Sequence, residues 1–288
     1  MFENIEFLII CVVVIGLAAI LLKAYSKKYR KYSDISVPTP TTKRDDLLFG
    51  YYGSTDSQVE ETRDHINVFM CSQWDGPDKS IADILSAKMP TILDVHYQVF
   101  ELVGESKLNT VRVDAETRLR EFLTLLKDSG AISYIKYIYP IDEPNNNVVD
   151  IGVLTSALTL IKKVVSEFSE LNHAKYAVIY ASGDEYTGQD MYDVIGYDDY
   201  DKKSSILSEG YQKLKRSLKP NQTTILVPGG SYLQDPTPFV NFAQSNKEVE
   251  MILAFLWADD KWGTVGKPGI RSNAVKDAYI AAGKSIIN

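Results

Sequence analysis

Short apolar runs rich in β-branched and aromatic residues recur from residue 47 to the end of the chain, separated mostly by stretches whose apolar positions fall three or four apart. Eight runs read as strands. They begin at Leu47 (LLFGYYG), Asn67 (NVFMCSQW), Pro90 (PTILDVHYQVF), Ile135 (IKYIYPIDEP), Ala174 (AKYAVIYAS), Asp193 (DVIGYDDY), Thr223 (TTILVPGGSY) and Glu250 (EMILAFLWADD). After the third run, Leu119, Phe122, Leu123 and Leu126 mark one helical face. After the fourth, Leu154, Leu158, Ile161, Val165 and Phe168 do the same. A last helix is predicted from about Ser272 to Lys284, and the interval after the fifth run fits only a stub near Gln189–Tyr192. Eight strand–helix units in about 240 residues predict the α/β class and a closed (β/α)8 TIM barrel. An open doubly wound sheet competes, but no GxGxxG follows the first strand, and Gly283-Lys284-Ser285 ends a helix instead of opening one.

The pattern ahead of the barrel is different. Phe7 to Leu22 carries no charge, near the roughly 20 apolar residues that span a bilayer as a helix. Lys23, Lys27, Lys28, Arg30 and Lys31 follow it. The acidic start (Glu3, Glu6) and the basic, aromatic flank argue against a secretory signal. The expected organisation is a single transmembrane helix with its flank over 1–32, a linker over 33–46 and the barrel over 47–288, with the lipid bilayer as a partner. The positive-inside bias places the body in the cytoplasm, unless the host membrane is that of a virion or organelle.

Composition narrows the function. The 288 residues are 45% hydrophobic and 24% charged, with a net charge of −7, which excludes a disordered chain or a disulfide scaffold. Beyond residue 31 there are 26 basic against 36 acidic groups, a balance that argues against nucleic acid as a partner. Cys11 and Cys71 stand alone, so neither a zinc motif nor an intrachain bridge is expected. Of the three histidines only His96 falls near the carboxyl end of a strand, and no GxSxG elbow occurs. No metal or organic cofactor is implied.

Barrel chemistry gathers at the carboxyl ends of the strands. Acids and aromatic rings crowd there, a combination suited to carbohydrate: rings meet the C–H faces of sugars and carboxylates accept from their hydroxyls. Asp75, Asp184 and Asp260 read as caps or solvated loop acids. Ile141-Asp142-Glu143-Pro144-Asn145 reads differently, because a strongly β-forming approach ends abruptly in two adjacent acids locked by a proline. Two carboxylates so placed repel, and burial raises the pKa of one, which suits a general acid. The alternative is a turn or helix start with Pro144 at its first position.

On these residues the body resembles a glycoside-hydrolase-type barrel. Asp142-Glu143-Pro144 is similar to the Asn-Glu-Pro step that supplies the acid/base at strand four in one large clan, with Asp142 replacing the Asn. That clan places its nucleophile at the end of strand seven, where this sequence has Pro228-Gly229-Gly230-Ser231-Tyr232 and no carboxylate until Asp235. The adjacent acid pair also resembles the substrate-assisted hexosaminidases and chitinase-like barrels, although chitinases separate the two acids by one residue. Gly196-Tyr197-Asp198 looks like the Tyr-Asp that holds the 2-acetamido group there. Trp257 looks like the tryptophan flooring the sugar site, with core or rim packing as its alternative. The resemblance implies Glu143 and Asp142 as catalytic residues and an N-acetylated glycan as substrate. Tyr197, Asp198, Trp257, Tyr52, Trp74, His96, Tyr139 and Tyr232 are the candidate carbohydrate-binding residues. A second hypothesis is a non-catalytic glycan-binding or structural barrel tethered to a cellular or virion membrane. A third, a barrel acting on a small metabolite, is weakened by the lack of a phosphate loop.

Overall fold

The eight apolar runs form eight parallel strands, interrupted once by a hairpin that the sequence pattern did not predict. The strands are β1 (Leu48–Tyr51), β2 (Phe69–Cys71), β3 (Thr91–Asp94), the antiparallel hairpin β4 (Phe100–Val103) and β5 (Leu108–Val111), then β6 (Ile135–Tyr139), β7 (Lys175–Tyr180), β8 (Val194–Asp198), β9 (Thr223–Val227) and β10 (Val249–Ala254). The helices are α1 (Val59–Thr62), α2 (Pro77–Ala87), α3 (His96–Val99), α4 (Ala115–Asp128), α5 (Ile151–Val165), α6 (Glu209–Ser217), α7 (Thr237–Ser245) and α8 (Lys276–Ile287). This computed structural model describes residues 43–52, 58–72, 76–103, 108–145, 150–181, 188–200, 206, 208–259 and 266–288. The expected anchor at 1–32 and the linker up to residue 42 lie outside the described residues. Among the described residues no helix is long and apolar enough to cross a membrane.

The barrel strands pair in the order β1-β10-β9-β8-β7-β6-β3-β2. Between β1 and β2 the ring is closed at Phe49 and Asn67, with the Val68 N–H also donating to the Phe49 carbonyl (3.4 Å). Asn67 accepts from the Phe49 N–H through Oδ1 (2.6 Å) and donates through Nδ2 to the Leu47 carbonyl (3.0 Å), while its own N–H donates to the Phe49 carbonyl (3.0 Å). The amide side chain thus supplies rungs of a ladder that the backbone alone does not complete. The fold is a nearly closed (β/α)8 barrel.

The two-residue period of each strand sorts its side chains. Val68, Met70, Ile92, Tyr137, Ile179, Ile225 and Leu253 are among those filling the interior. The alternate residues face the helices. Four of the five predicted apolar positions after the fourth barrel strand, Leu154, Leu158, Ile161 and Val165, are buried on α5, and Phe168 is buried just beyond it. Burying each such side chain stabilises the fold by about 1.5–3 kcal/mol. Helix α5 starts where the Asp150 carboxylate accepts from the N–H groups of Gly152 (2.7 Å) and Val153 (3.3 Å), a cap that contributes about 1 kcal/mol. The short fifth interval holds only a 3-10 turn at Gln189–Met191, as the spacing predicts. At the base of the barrel, Glu250 accepts from Tyr137 Oη, Thr223 Oγ1 and Lys175 Nζ. His173, placed by the sequence at this end, meets Lys136 Nζ at 3.0 Å.

Candidate active site

Continuing the inward period past the last rung brings acids and tyrosines to one rim. On β3, Ile92 faces inward and Asp94 is the next inward position; on β8, Gly196 is followed by Asp198. On β6, Tyr139 faces inward, and Pro140 and Ile141 carry the chain, still buried, to Asp142 and Glu143. Glu143 has a left-handed backbone, φ +40°, although it precedes a proline, which ordinarily keeps its predecessor extended. Its N–H donates to the Ile179 carbonyl at the end of β7 (3.0 Å). A strained backbone pinned to the neighbouring strand fixes where this carboxyl points, and strain of this kind gathers at functional sites.

The side chains form a hydrogen-bonded band across the mouth. Tyr139 Oη donates to Asp142 Oδ1 at 2.6 Å. Tyr52, one residue past β1, hydrogen-bonds both Asp142 and Tyr139. Glu143 is in hydrogen-bond contact with Asp198, which also bonds Tyr200. Beside them, Asp94 Oδ1 accepts from the His96 N–H (2.8 Å). Burial, and then the neighbouring Glu143, push the Asp142 carboxyl up to about 7, against the two tyrosine hydroxyls that favour its charged form. Burial, and then the charge and hydrogen bond of Glu143, push Asp198 up to about 9. Burial pushes Asp94 up to about 6, with His96 acting against it. Asp142, Asp198 and Asp94 therefore hold protons at a pH where ordinary carboxyls have lost them.

Aromatic rings flank the acids. Tyr200 stacks on Phe255 (centroids 5.0 Å, 18° between planes) and on Tyr232 (4.9 Å, 18°), and Tyr52 leans on Phe255 at 5.6 Å. Tyr52, Tyr139, Asp142, Glu143 and Asp198 are thus brought together, with Tyr232 joined through its stack on Tyr200. His96 stands at the edge, its Nε2 3.0 Å from Asn109 Oδ1 on the hairpin.

Two candidates are elsewhere. Tyr197 alternates with the inward Gly196 and Asp198, so it faces outward; a Cβ on Gly210 of α6 would stand 2.1 Å from its hydroxyl. Trp257 is also outside the barrel, 2% exposed, packed on Tyr51 (4.9 Å) and His65 (5.3 Å), and its Nε1 donates to Glu61 Oε2 at 2.8 Å. The expectation that Trp257 floors a sugar site is corrected: β10 ends at Ala254, the inward ring is Phe255, and the chain turns before Trp257. Trp74 lies outside the described residues, as do Asp75, Asp184, Glu185 and Asp260. Asp259 accepts from Gly269 N–H, Arg271 and Ser272 and braces its own loop. Among the described residues no group of three or more His, Cys, Asp or Glu is arranged to hold a metal ion.

Asp94, Tyr200 and Phe255 are site residues absent from the candidates drawn from the sequence. Alternation from Ile92 would have found Asp94, but the run PTILDVHYQVF reads as one strand and hides the break after it. The strand in fact ends at Asp94 and a helical turn, α3, follows.

No protein-family model matches the chain, and no curated protein matches it in sequence. Solved structures match its fold. A GH2 β-galacturonidase from Eisenbergiella tayi bound to galacturonate superposes with a TM-score of 0.54 at 10% identity, over 85% of this chain and 51% of that one. A GH113 β-1,4-mannanase gives 0.51 at 10% identity, over 84% and 99%. Saccharomyces cerevisiae Gas2p in complex with laminaripentaose gives 0.52 at 15% identity, over 80% and 57%. This chain spans about half the length of the galacturonidase and just over half of the yeast protein. What it shares with these glycoside hydrolases, at such identities, is the (β/α)8 barrel.

Proposed function

We propose that the chain is a membrane-tethered glycoside hydrolase-like enzyme that cleaves an N-acetylated glycan by carboxylate acid catalysis. The observation that carries this reading is the contact between Glu143 and Asp198, together with the absence of any carboxylate from Thr223 through Gln234 at the seventh barrel strand. Hydrolysis by two separated carboxyls needs about 5–5.5 Å for a retaining and about 6.5–9.5 Å for an inverting enzyme. A pair in hydrogen-bond contact suits neither spacing. It suits a route in which the substrate's own acetamido oxygen is the nucleophile.

In that route Glu143 protonates the glycosidic oxygen, which leaves with the electrons of the C1–O bond. The acetamido oxygen forms a bond to C1 in the same step. Glu143 then takes a proton from the water that reopens the ring intermediate. Asp142, held by Tyr52 and Tyr139, accepts the acetamido N–H and stabilises the positive charge that develops there. Phe255 offers an aromatic edge of the mouth to the sugar, while Tyr232, stacked on Tyr200 and overlain by Lys267 Nζ (4.6 Å), backs the site. The apolar run from Phe7 to Leu22 and the basic residues behind it support a bilayer tether with the body on the cytoplasmic side, and protease protection in sealed vesicles tests that side.

The experiment for the chemistry compares aryl glycosides with and without a 2-acetamido group. Turnover confined to the acetamido series, inhibition by a thiazoline mimic of the cyclic intermediate, and loss of turnover by orders of magnitude in Glu143→Gln with fold retained are expected. Unchanged turnover in Glu143→Gln removes the assignment. Glycan binding without turnover by the wild type favours the non-catalytic reading.

A further inference from the structure

We propose that Tyr200 is a positioning residue for the Glu143–Asp198 pair, seated over the bare backbone at the end of the seventh barrel strand. Strand β9 ends at Val227 and is followed by Pro228-Gly229-Gly230. A Cβ on Gly229 would stand 2.6 Å from Tyr200 Cδ1, so the ring occupies space that any other residue there would fill. Its two faces are covered by Phe255 and Tyr232, with planes within 18° of parallel.

The backbone beneath the ring is tied as firmly. Gln234, 6% exposed, accepts from the Gly229 N–H (2.7 Å) and donates to the carbonyls of Asp199 (3.2 Å) and Tyr200 (3.3 Å). Its own carbonyl accepts from Tyr279 Oη of α8 at 3.1 Å. Gln234 therefore couples the loop after β8 to the loop after β9 and leaves the Tyr200 ring little freedom.

The hydroxyl of the fixed ring hydrogen-bonds the Asp198 carboxyl. The groups facing Asp198 are Glu143 and Asp142 from the end of β6 and Tyr200 from its own loop. The phenol donates to the same carboxyl that bonds Glu143, so its hydroxyl competes for the oxygens between which the retained proton is shared. Tyr200 thereby biases proton sharing in the pair without touching the substrate.

The kinetic part of this inference rests on the glycosidase reading; the titration does not. Tyr200→Phe keeps the ring stack and removes only the hydroxyl. The Asp198 carboxyl is followed by carbon-13 NMR of labelled aspartate in the full-length protein, its signal assigned with Asp198→Asn. In Tyr200→Phe its midpoint should move up by about one pH unit, the equivalent of one hydrogen bond to a charged acceptor. In an active enzyme kcat should fall roughly 10-fold or more with KM unchanged, and the alkaline limb of the rate profile should move in the same direction. An unmoved Asp198 titration overturns the inference, because a ring that only fills space has no bearing on that proton. A moved titration with unchanged kcat overturns it as well. A moved titration in a protein that turns over no glycan upholds the positioning role and removes the glycosidase reading instead.

Discussion

Replacing Glu143 by glycine should make the protein more stable than replacing it by alanine. Both variants lose the carboxyl, its hydrogen bond to Asp198 and its repulsion with the buried Asp142 and Asp198, so their difference reports chiefly the backbone. A non-glycine residue held at φ +40° carries about 1–2 kcal/mol of strain, and the following proline opposes any relaxation toward the helical region. Glycine relieves that strain, less roughly 0.5–1 kcal/mol for its greater freedom in the unfolded chain. The net expectation is an advantage of about 1 kcal/mol for Glu143→Gly, a Tm difference of about 2–4 °C for a chain of this size. Urea denaturation at fixed pH, with m-values compared, measures it. Both variants should lose turnover. An alanine variant as stable as the glycine variant would refute the argument that backbone strain aims this side chain.

Other expectations follow from the remaining geometry. Asp142 and Asp198 titrate higher when folded, about 7 and 9, than at their ordinary value of 3.8; the folded state keeps protons that the unfolded chain has released, so the stability they contribute is complete below about pH 4 and is lost as pH rises through the folded values. Thermal melts should therefore show Tm falling between pH 7 and 9, above the range of His65, whose pKa burial lowers, and Asp198→Asn should flatten the fall; a Tm that rises over this interval contradicts the assignment. Asn67→Ala leaves the buried Phe49 amide without its acceptor and should cost about 2 kcal/mol, measured by denaturant titration, with a cost under about 0.5 kcal/mol ruling out the side chain as the ring closure. Trp257→Phe removes the bond to Glu61 and should cost about 1 kcal/mol with glycan affinity unchanged, whereas Phe255→Leu should weaken glycan binding in calorimetry; the reverse pattern would return Trp257 to the site.

The barrel was legible because both of its periods are written plainly. Val68, Met70 and Ile92 alternate with outward residues, and Leu119, Phe122, Leu123 and Leu126 repeat at helical spacing, so strand and helix are separable from the chain alone. The hairpin β4–β5 was hidden because its first strand follows Asp94-Val95-His96 within a single apolar run. The site was legible in its acids. Asp142 and Glu143 stand out because a proline and two charges end a strand, and Asp198 because it terminates β8. The aromatics were harder to place. Tyr197 differs from Asp198 by one position, and that single step moves a side chain from the mouth to the helix layer. Trp257 was misplaced because nothing local says that β10 stops at Ala254. The Glu143–Asp198 contact joins residues 55 positions apart, and only closure of the ring brings them together.

The Asn67 closure also acts as a clasp. Seven of the eight strand junctions are held by backbone ladders; the eighth has two backbone bonds into one carbonyl, that of Phe49, and two more from the Asn67 side chain, so the ring is expected to open there first. Opening there leaves β1 laddered to β10 but lets the two ends of the sheet part, which should draw Tyr52 off Asp142. Solvent exchange at the Phe49 amide and proton uptake by a carboxyl on the opposite side of the mouth are then two readings of a single motion.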